Sequence, residues 1–82
     1  MQTLTVRISD VTQVKRFVAL AGVCPAEIDL VTGRYQVDAK SIMGIFSLDL
    51  SQPLLLKYYE NVDDGDEVYE NFKKSIEDFI IE

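Results

Sequence analysis

Apolar and polar residues alternate at the start of the chain. Leu4, Val6 and Ile8 fall on one side, and Thr3, Thr5, Arg7 and Ser9 on the other. A period of two belongs to a strand with one buried face, which predicts a strand over 2–9. Ser9 or Asp10 can then cap a helix. Val14, Phe17, Val18 and Ala21 recur at helical spacing, while Gln13, Lys15 and Arg16 take the wet side. This predicts a helix over 11–23, weakened at Gly22 and stopped by Pro25. Ile28 and Leu30 open a strand over 27–32, Thr32-Gly33-Arg34 turns the chain, and 35–38 returns as the second arm of a hairpin. Ser41 is a good cap for a short helix over 41–48. Gly44 inside it costs ~1 kcal/mol against alanine, so a close backbone contact is expected there. Leu54, Leu56 and Tyr58 mark the inward side of a strand over 53–59. Asp63-Asp64-Gly65-Asp66-Glu67 opens a last helix over 65–80, with Val68, Tyr69, Phe72, Ile76, Phe79 and Ile80 as its stripe.

The order is βαββαβα. Paired strands with helices returning over one face predict an α+β open-faced sandwich: a four-stranded antiparallel sheet with three helices on one side. The 82 residues make one domain, spanning 1–82, and show no repeat, linker or low-complexity stretch.

Composition narrows the chemistry. Apolar residues at 48% and charged residues at 27% fit a folded core. No apolar run approaches the ~20 residues of a membrane span, and no signal-peptide pattern opens the chain, so a cytoplasmic protein is expected. The net charge of −6 is concentrated in residues 60–82, where Glu60, Asp63, Asp64, Asp66, Glu67, Glu70, Glu77, Asp78 and Glu82 stand against only Lys73 and Lys74. Such a surface disfavours nucleic acid and anionic lipid; it is either a solvated face or a dock for a basic partner. The lone cysteine, Cys24, ends an apolar stretch and reads as a small buried hydrophobe. The chain contains no histidine, which removes the usual general base and the commonest metal ligand. Phosphate loops, CxxC pairs and nucleophile elbows are absent. No enzyme activity, cofactor or metal is predicted.

Asp38-Ala39-Lys40-Ser41-Ile42-Met43-Gly44-Ile45-Phe46-Ser47-Leu48 resembles the most recognisable segment of the HPr phosphocarrier family: polar, apolar, Lys-Ser, two apolar, Gly, two apolar, Ser-Leu. The order of elements follows that family over nearly the whole chain. In the family a phosphoryl-carrying histidine opens the first helix, followed by a small residue, an arginine and usually a proline. Counting back from Ser41 without gaps, these positions fall on Asp10 for the histidine, Thr12 for the arginine and Gln13 for the proline. The resemblance therefore implies an HPr-like protein without histidine phosphocarrier activity. Asp10 reads as a helix cap, with an aspartyl phosphoacceptor as the alternative.

Ser41 matches the serine that an ATP-dependent HPr kinase phosphorylates in the family, where the product acts with a transcription regulator. Both are implied as protein partners, Ser41 as a modification site, and Ile42, Met43, Phe46, Asp10 and Thr12 as the partner-binding surface. A plain N-cap is the other reading of Ser41, and the two are compatible. Packing on the sheet is the other reading of the apolar patch. Lys40 adjoins Ser41 and could offset part of a phosphate's charge. Either a regulatory module related to the phosphotransferase system or an adaptor of the same fold with no role in that system is expected, as a monomer or weak dimer.

Overall fold

The computed structural model describes residues 1–61, 63 and 65–81; Asp64 and Glu82, counted above in the acidic stretch, lie outside the described residues. The chain runs β1 (Gln2–Val6), α1 (Val11–Gly22), β2 (Glu27–Thr32), β3 (Tyr35–Asp38), α2 (Ile42–Phe46), β4 (Leu54–Tyr59) and α3 (Asp66–Ser75), then a 3-10 turn over Glu77–Phe79. The strands form one antiparallel sheet in the order β1-β4-β2-β3.

Register explains which residues go inside. Leu4 faces Leu56, Leu56 faces Leu30, and Leu30 faces Val37, one inward row across all four strands. Val6 with Leu54, and Tyr58 with Ile28, make the flanking rows. All of these are buried except Val37, which packs partly covered against the core. The alternate row of Thr5, Leu55, Val31 and Gln36 is exposed or half-buried, so the sheet has one covered face and one open face. On the covered face lie Val14, Phe17 and Ala21 of α1, Ile45 of α2 and Phe72 of α3.

Two boundaries differ from the sequence expectation by more than two residues, and the rest by two at most. The alternation predicted a strand over 2–9, and Ile8 is indeed buried, yet the ladder ends at Val6. The reason is the partner: β4 begins at Leu54, which pairs with Val6, and Pro53 precedes it. The last helix was expected over 65–80 but stops at Ser75, whose hydroxyl donates to the Phe72 carbonyl at 2.7 Å. Such back-bonding competes with the helix's own ladder. Ile76 then takes φ −108°, ψ 14°, and the chain tightens into the 3-10 turn. The turn has three residues per revolution, so Ile76 and Phe79 still share the inward side. Both are buried.

Beyond the turn the chain becomes extended and joins the outer edge of β1. The Arg7 N–H donates to the Phe79 carbonyl at 2.8 Å, and the Ile81 N–H donates to the Thr5 carbonyl at 2.9 Å, flanking a bridge between Val6 and Ile80. Phe79 meets Phe17 edge-on at 5.3 Å, and the Arg16 guanidinium lies 4.8 Å over its ring. Arg16 also pairs with Asp78 and holds that carboxyl below the usual carboxylate range. An edge strand is thus half covered by the chain's own later residues.

Cys24 is buried as expected, with its thiol donating to the Tyr58 hydroxyl at 3.8 Å. Among the described residues no helix is long and apolar enough to cross a membrane.

Candidate functional site

Asp10 caps α1. Its backbone is extended at φ −144°, ψ 173°, and its Oδ1 accepts the Gln13 N–H at 2.8 Å. Gln13 reaches back in turn: its Oε1 accepts the Ser9 N–H at 2.8 Å and the Ser9 hydroxyl at 2.9 Å. The result is a reciprocal cap, offset by one residue from the usual capping box. The glutamine at the family's proline position has a structural task of its own. Thr12, at the arginine position, is exposed. Among the described residues the two ion pairs are Met1 with Glu60 and Arg16 with Asp78, so neither brings a cation to Asp10. Phosphoryl transfer rests on neutralising the oxygens of the transferred group. Among the described residues no ion pair supplies such a partner to Asp10.

Ser41 caps α2. Its Oγ accepts the Gly44 N–H at 3.1 Å, and its carbonyl accepts the Ile45 N–H at 3.1 Å. At the far end the Ser47 hydroxyl donates to the Gly44 carbonyl at 2.6 Å. A five-residue helix satisfies little of its backbone internally, so these hydroxyls carry much of its order. Gly44 shows the close approach that its position predicted. A Cβ there would stand 3.2 Å from Ser41 Oγ and 3.2 Å from Val37 Cβ, so α2 sits on β3 through a bare backbone.

Lys40 does something other than flank Ser41. Its Nζ donates to the Cys24 carbonyl at 2.7 Å, and its backbone N–H donates to Asp38 Oδ1 at 2.8 Å. The ammonium ties the segment before α2 to the chain just beyond α1. In the loop after α2, the hydroxyl and N–H of Ser51 hold the Asp49 carboxyl below the usual range.

The apolar patch divides along helical geometry. Met43 and Phe46, three residues apart, face outward, 75% and 40% exposed. Ile45 is buried, and Ile42 is half-buried against the core. Val11, beside Asp10 at the head of α1, is 54% exposed. The sequence reading did not single it out, although it lies three residues before Val14 and so extends the stripe beyond the core. α1 and α2 pack on one another. Among the described residues no hydrogen bond joins Asp10 or Thr12 to Ser41. A cleft of about 590 Å³ elsewhere, lined by Gln2, Tyr58, Glu60, Tyr69 and Lys73, contains none of these residues.

No model of a known protein family matches the sequence, and no curated protein matches it. Solved structures do. HPr-C-His from Thermoanaerobacter tengcongensis is 28% identical, with a TM-score of 0.73 over 94% of this chain and 92% of that one. The fold is that of the HPr phosphocarriers. The phosphocarrier protein HPr of Bacillus anthracis is similar over 90% of this chain and 94% of its own, at 24% identity and a TM-score of 0.66. The histidine-containing phosphocarrier protein of Mycoplasma matches over 99% of this chain and all of its own length, at 17% identity and a TM-score of 0.72. The HPr fold therefore extends over nearly the whole chain, in a sequence that contains no histidine.

Proposed function

We propose that this chain is an HPr-like regulatory or protein-binding module, related to the phosphotransferase system, that carries no phosphoryl group on histidine and works through the Ser41 helix. The observation behind this reading is the pairing of an HPr fold over nearly the whole chain with an Asp10 that serves as a helix cap and, among the described residues, forms no ion pair. The outward Met43 and Phe46 beside a capping serine support protein docking at α2. An HPr kinase and a transcription regulator are the partners that the family resemblance suggests.

The carrier chemistry is expected to be absent. Incubated with phosphoenolpyruvate and the first enzyme of the phosphotransferase system, the protein should take up no label. Label that vanishes in Asp10→Ala would instead establish the aspartyl phosphoacceptor. Asp10→His alone should not restore transfer, and Thr12→Arg should be needed with it, since a lone imidazole lacks a cation to hold the phosphoryl oxygens.

Ser41 is the positive test. Incubation with HPr kinase and ATP, followed by phosphosite mapping, should label Ser41 and leave Ser41→Ala unlabelled. A phosphate there keeps acceptors for the first N–H groups of α2 and suits the helix dipole, on the order of 1 kcal/mol at most. The domain should therefore stay folded. Ser41→Asp should melt within a few degrees of the parent, roughly the shift that a change below 1 kcal/mol gives in a domain this size. The added charge of about −2 should repel partners that bury Met43 and Phe46 and recruit partners that present arginines.

A second reading, an adaptor of the HPr fold with no link to the phosphotransferase system, draws on two observations. Thr12 stands where the family places an arginine, and the Lys40 ammonium is occupied by the Cys24 carbonyl. Unlabelled Ser41 at saturating kinase would leave this reading standing.

A further inference from the structure

We propose that Met43 is a site of reversible oxidation that switches the outward face of α2 from apolar to polar; the effect on docking rests on the reading of α2 as the working surface. The chain has two methionines. Met43 is held out into solvent by its own helix: Ile45 anchors α2 in the core, Gly44 seats it against Val37, and Met43 is left 75% exposed. Among the described residues its side chain is not part of the core or packed against it. Phe46 is its exposed neighbour, so the thioether and one ring make up most of the outward apolar surface of this helix. The other sulfur, Cys24 Sγ, is only 6% exposed and faces the Tyr58 hydroxyl. A hydroperoxide arriving from solvent therefore meets a thioether before a thiol.

The step balances with hydrogen peroxide as oxidant. A sulfur lone pair attacks one peroxide oxygen, the O–O bond breaks as the S–O bond forms, and the departing hydroxide takes up the remaining proton as water. The sulfur loses two electrons and the peroxide gains them. The product is a methionine sulfoxide, polar and returned to the thioether by sulfoxide reductases. In the free protein the new oxygen is solvated and the fold is indifferent to it. Beneath a partner the same oxygen is an acceptor stripped of water, which opposes docking.

The test treats the intact protein with hydrogen peroxide and maps the added oxygen by mass spectrometry. Met1, 66% exposed, serves as an internal reference for an exposed thioether. Met43 should oxidise at a rate comparable to Met1, with Cys24 untouched and the melting temperature unchanged. The oxidised protein should elute earlier from a phenyl column, because exposed apolar surface has been lost. In Met43→Leu, peroxide should still modify Met1, and the shift in retention should be smaller than in the parent by the share that Met43 contributes. HPr kinase should label Ser41 about fivefold more slowly in the oxidised parent, the scale of burying one unpaired acceptor. Peroxide should not slow labelling of Met43→Leu relative to the same variant untreated.

Three results would overturn the proposal: a Met43 that resists peroxide while Met1 oxidises, a peroxide shift in retention no larger in the parent than in Met43→Leu, or a lowered melting temperature, which would place the side chain in the core. Equal Ser41 labelling before and after peroxide would overturn the docking consequence. Unlabelled Ser41 in both samples counts against the proposed function instead, and the retention measurement then decides this inference by itself.

Discussion

Phe79→Ala should remove about 3–5 kcal/mol of stability, the range for deleting a fully packed aromatic. The ring lies outside every α-helix and ladder strand, in a three-residue 3-10 turn. It is buried, it meets Phe17 edge-on at 5.3 Å, and the Arg16 guanidinium covers its face. Its backbone carbonyl also receives the Arg7 N–H, so the side chain and the covering of the β1 edge are fixed by the same residue. Domains of this size have roughly 5–15 kcal/mol in total. Loss of about a fifth or more of that should lower the melting temperature by more than about 10 °C. Urea denaturation of parent and variant supplies the comparison. A loss below about 1 kcal/mol would mean that the turn is not part of the cooperative core. Arg16→Ala should cost far less, since both partners of its ion pair are about half exposed or more and such pairs contribute about 0–1 kcal/mol.

Gly44→Val should be the most damaging single change at the candidate site. Alanine would gain up to ~1 kcal/mol of helix propensity, but its Cβ would stand 3.2 Å from both Ser41 Oγ and Val37 Cβ. Valine adds two methyl groups to a gap that is already tight for one. Either α2 lifts from β3 or Ser41 turns away and the cap is lost. Overpacking of this kind costs about 1–3 kcal/mol, and a lost serine cap about 1 kcal/mol more. Hydrogen exchange gives a local readout beside the melting curve. The amides of residues 44 and 45, which bond to the Ser41 side chain and carbonyl, should lose protection before the sheet does. Valine tolerated within about 0.5 kcal/mol, with those amides still protected, would show that α2 shifts freely on β3.

The sheet was legible because its pattern is local. Leu4, Val6, Leu54, Leu56 and Tyr58 carry a period of two that needs no knowledge of partners, and the Thr32-Gly33-Arg34 turn fixes the hairpin; Gly33 takes φ +57° there. What the pattern cannot carry is where pairing stops. Ile8 is buried just as the alternation demands, while the ladder ends two residues earlier because its partner β4 does not begin until Leu54. Burial and pairing are different properties, and only the first is written in one segment. The end of α3 was hidden for a related reason. Phe72, Ile76 and Phe79 are spaced four and three residues apart, and a continuous α-helix and an α-helix followed by a 3-10 turn place them on the same side.

At the candidate site the caps were legible, because Asp10 and Ser41 act on N–H groups three residues away. Gly44 was legible as a contact but not as a contact with Val37, which lies in another element. Lys40 shows the limit of local reasoning. Its neighbour in sequence is Ser41, but its ammonium bonds to the Cys24 carbonyl, sixteen residues back. Only the packing of α2 beside α1 brings those two groups together.

The covering of β1 also has a consequence for the way the protein is made. β1 precedes every segment that completes it: β4 supplies one side and residues 79–81 supply the other. A ribosome releases this strand early and its partners late, so Leu4, Val6 and Ile8 leave the tunnel with nothing to pack against. Non-local pairings of this kind carry a loop-closure cost before any contact offsets it, and they slow folding relative to helical domains of similar size. Until residue 81 has emerged, the nascent chain presents an apolar strand with an open edge, the form in which such segments are most prone to association and to capture by chaperones.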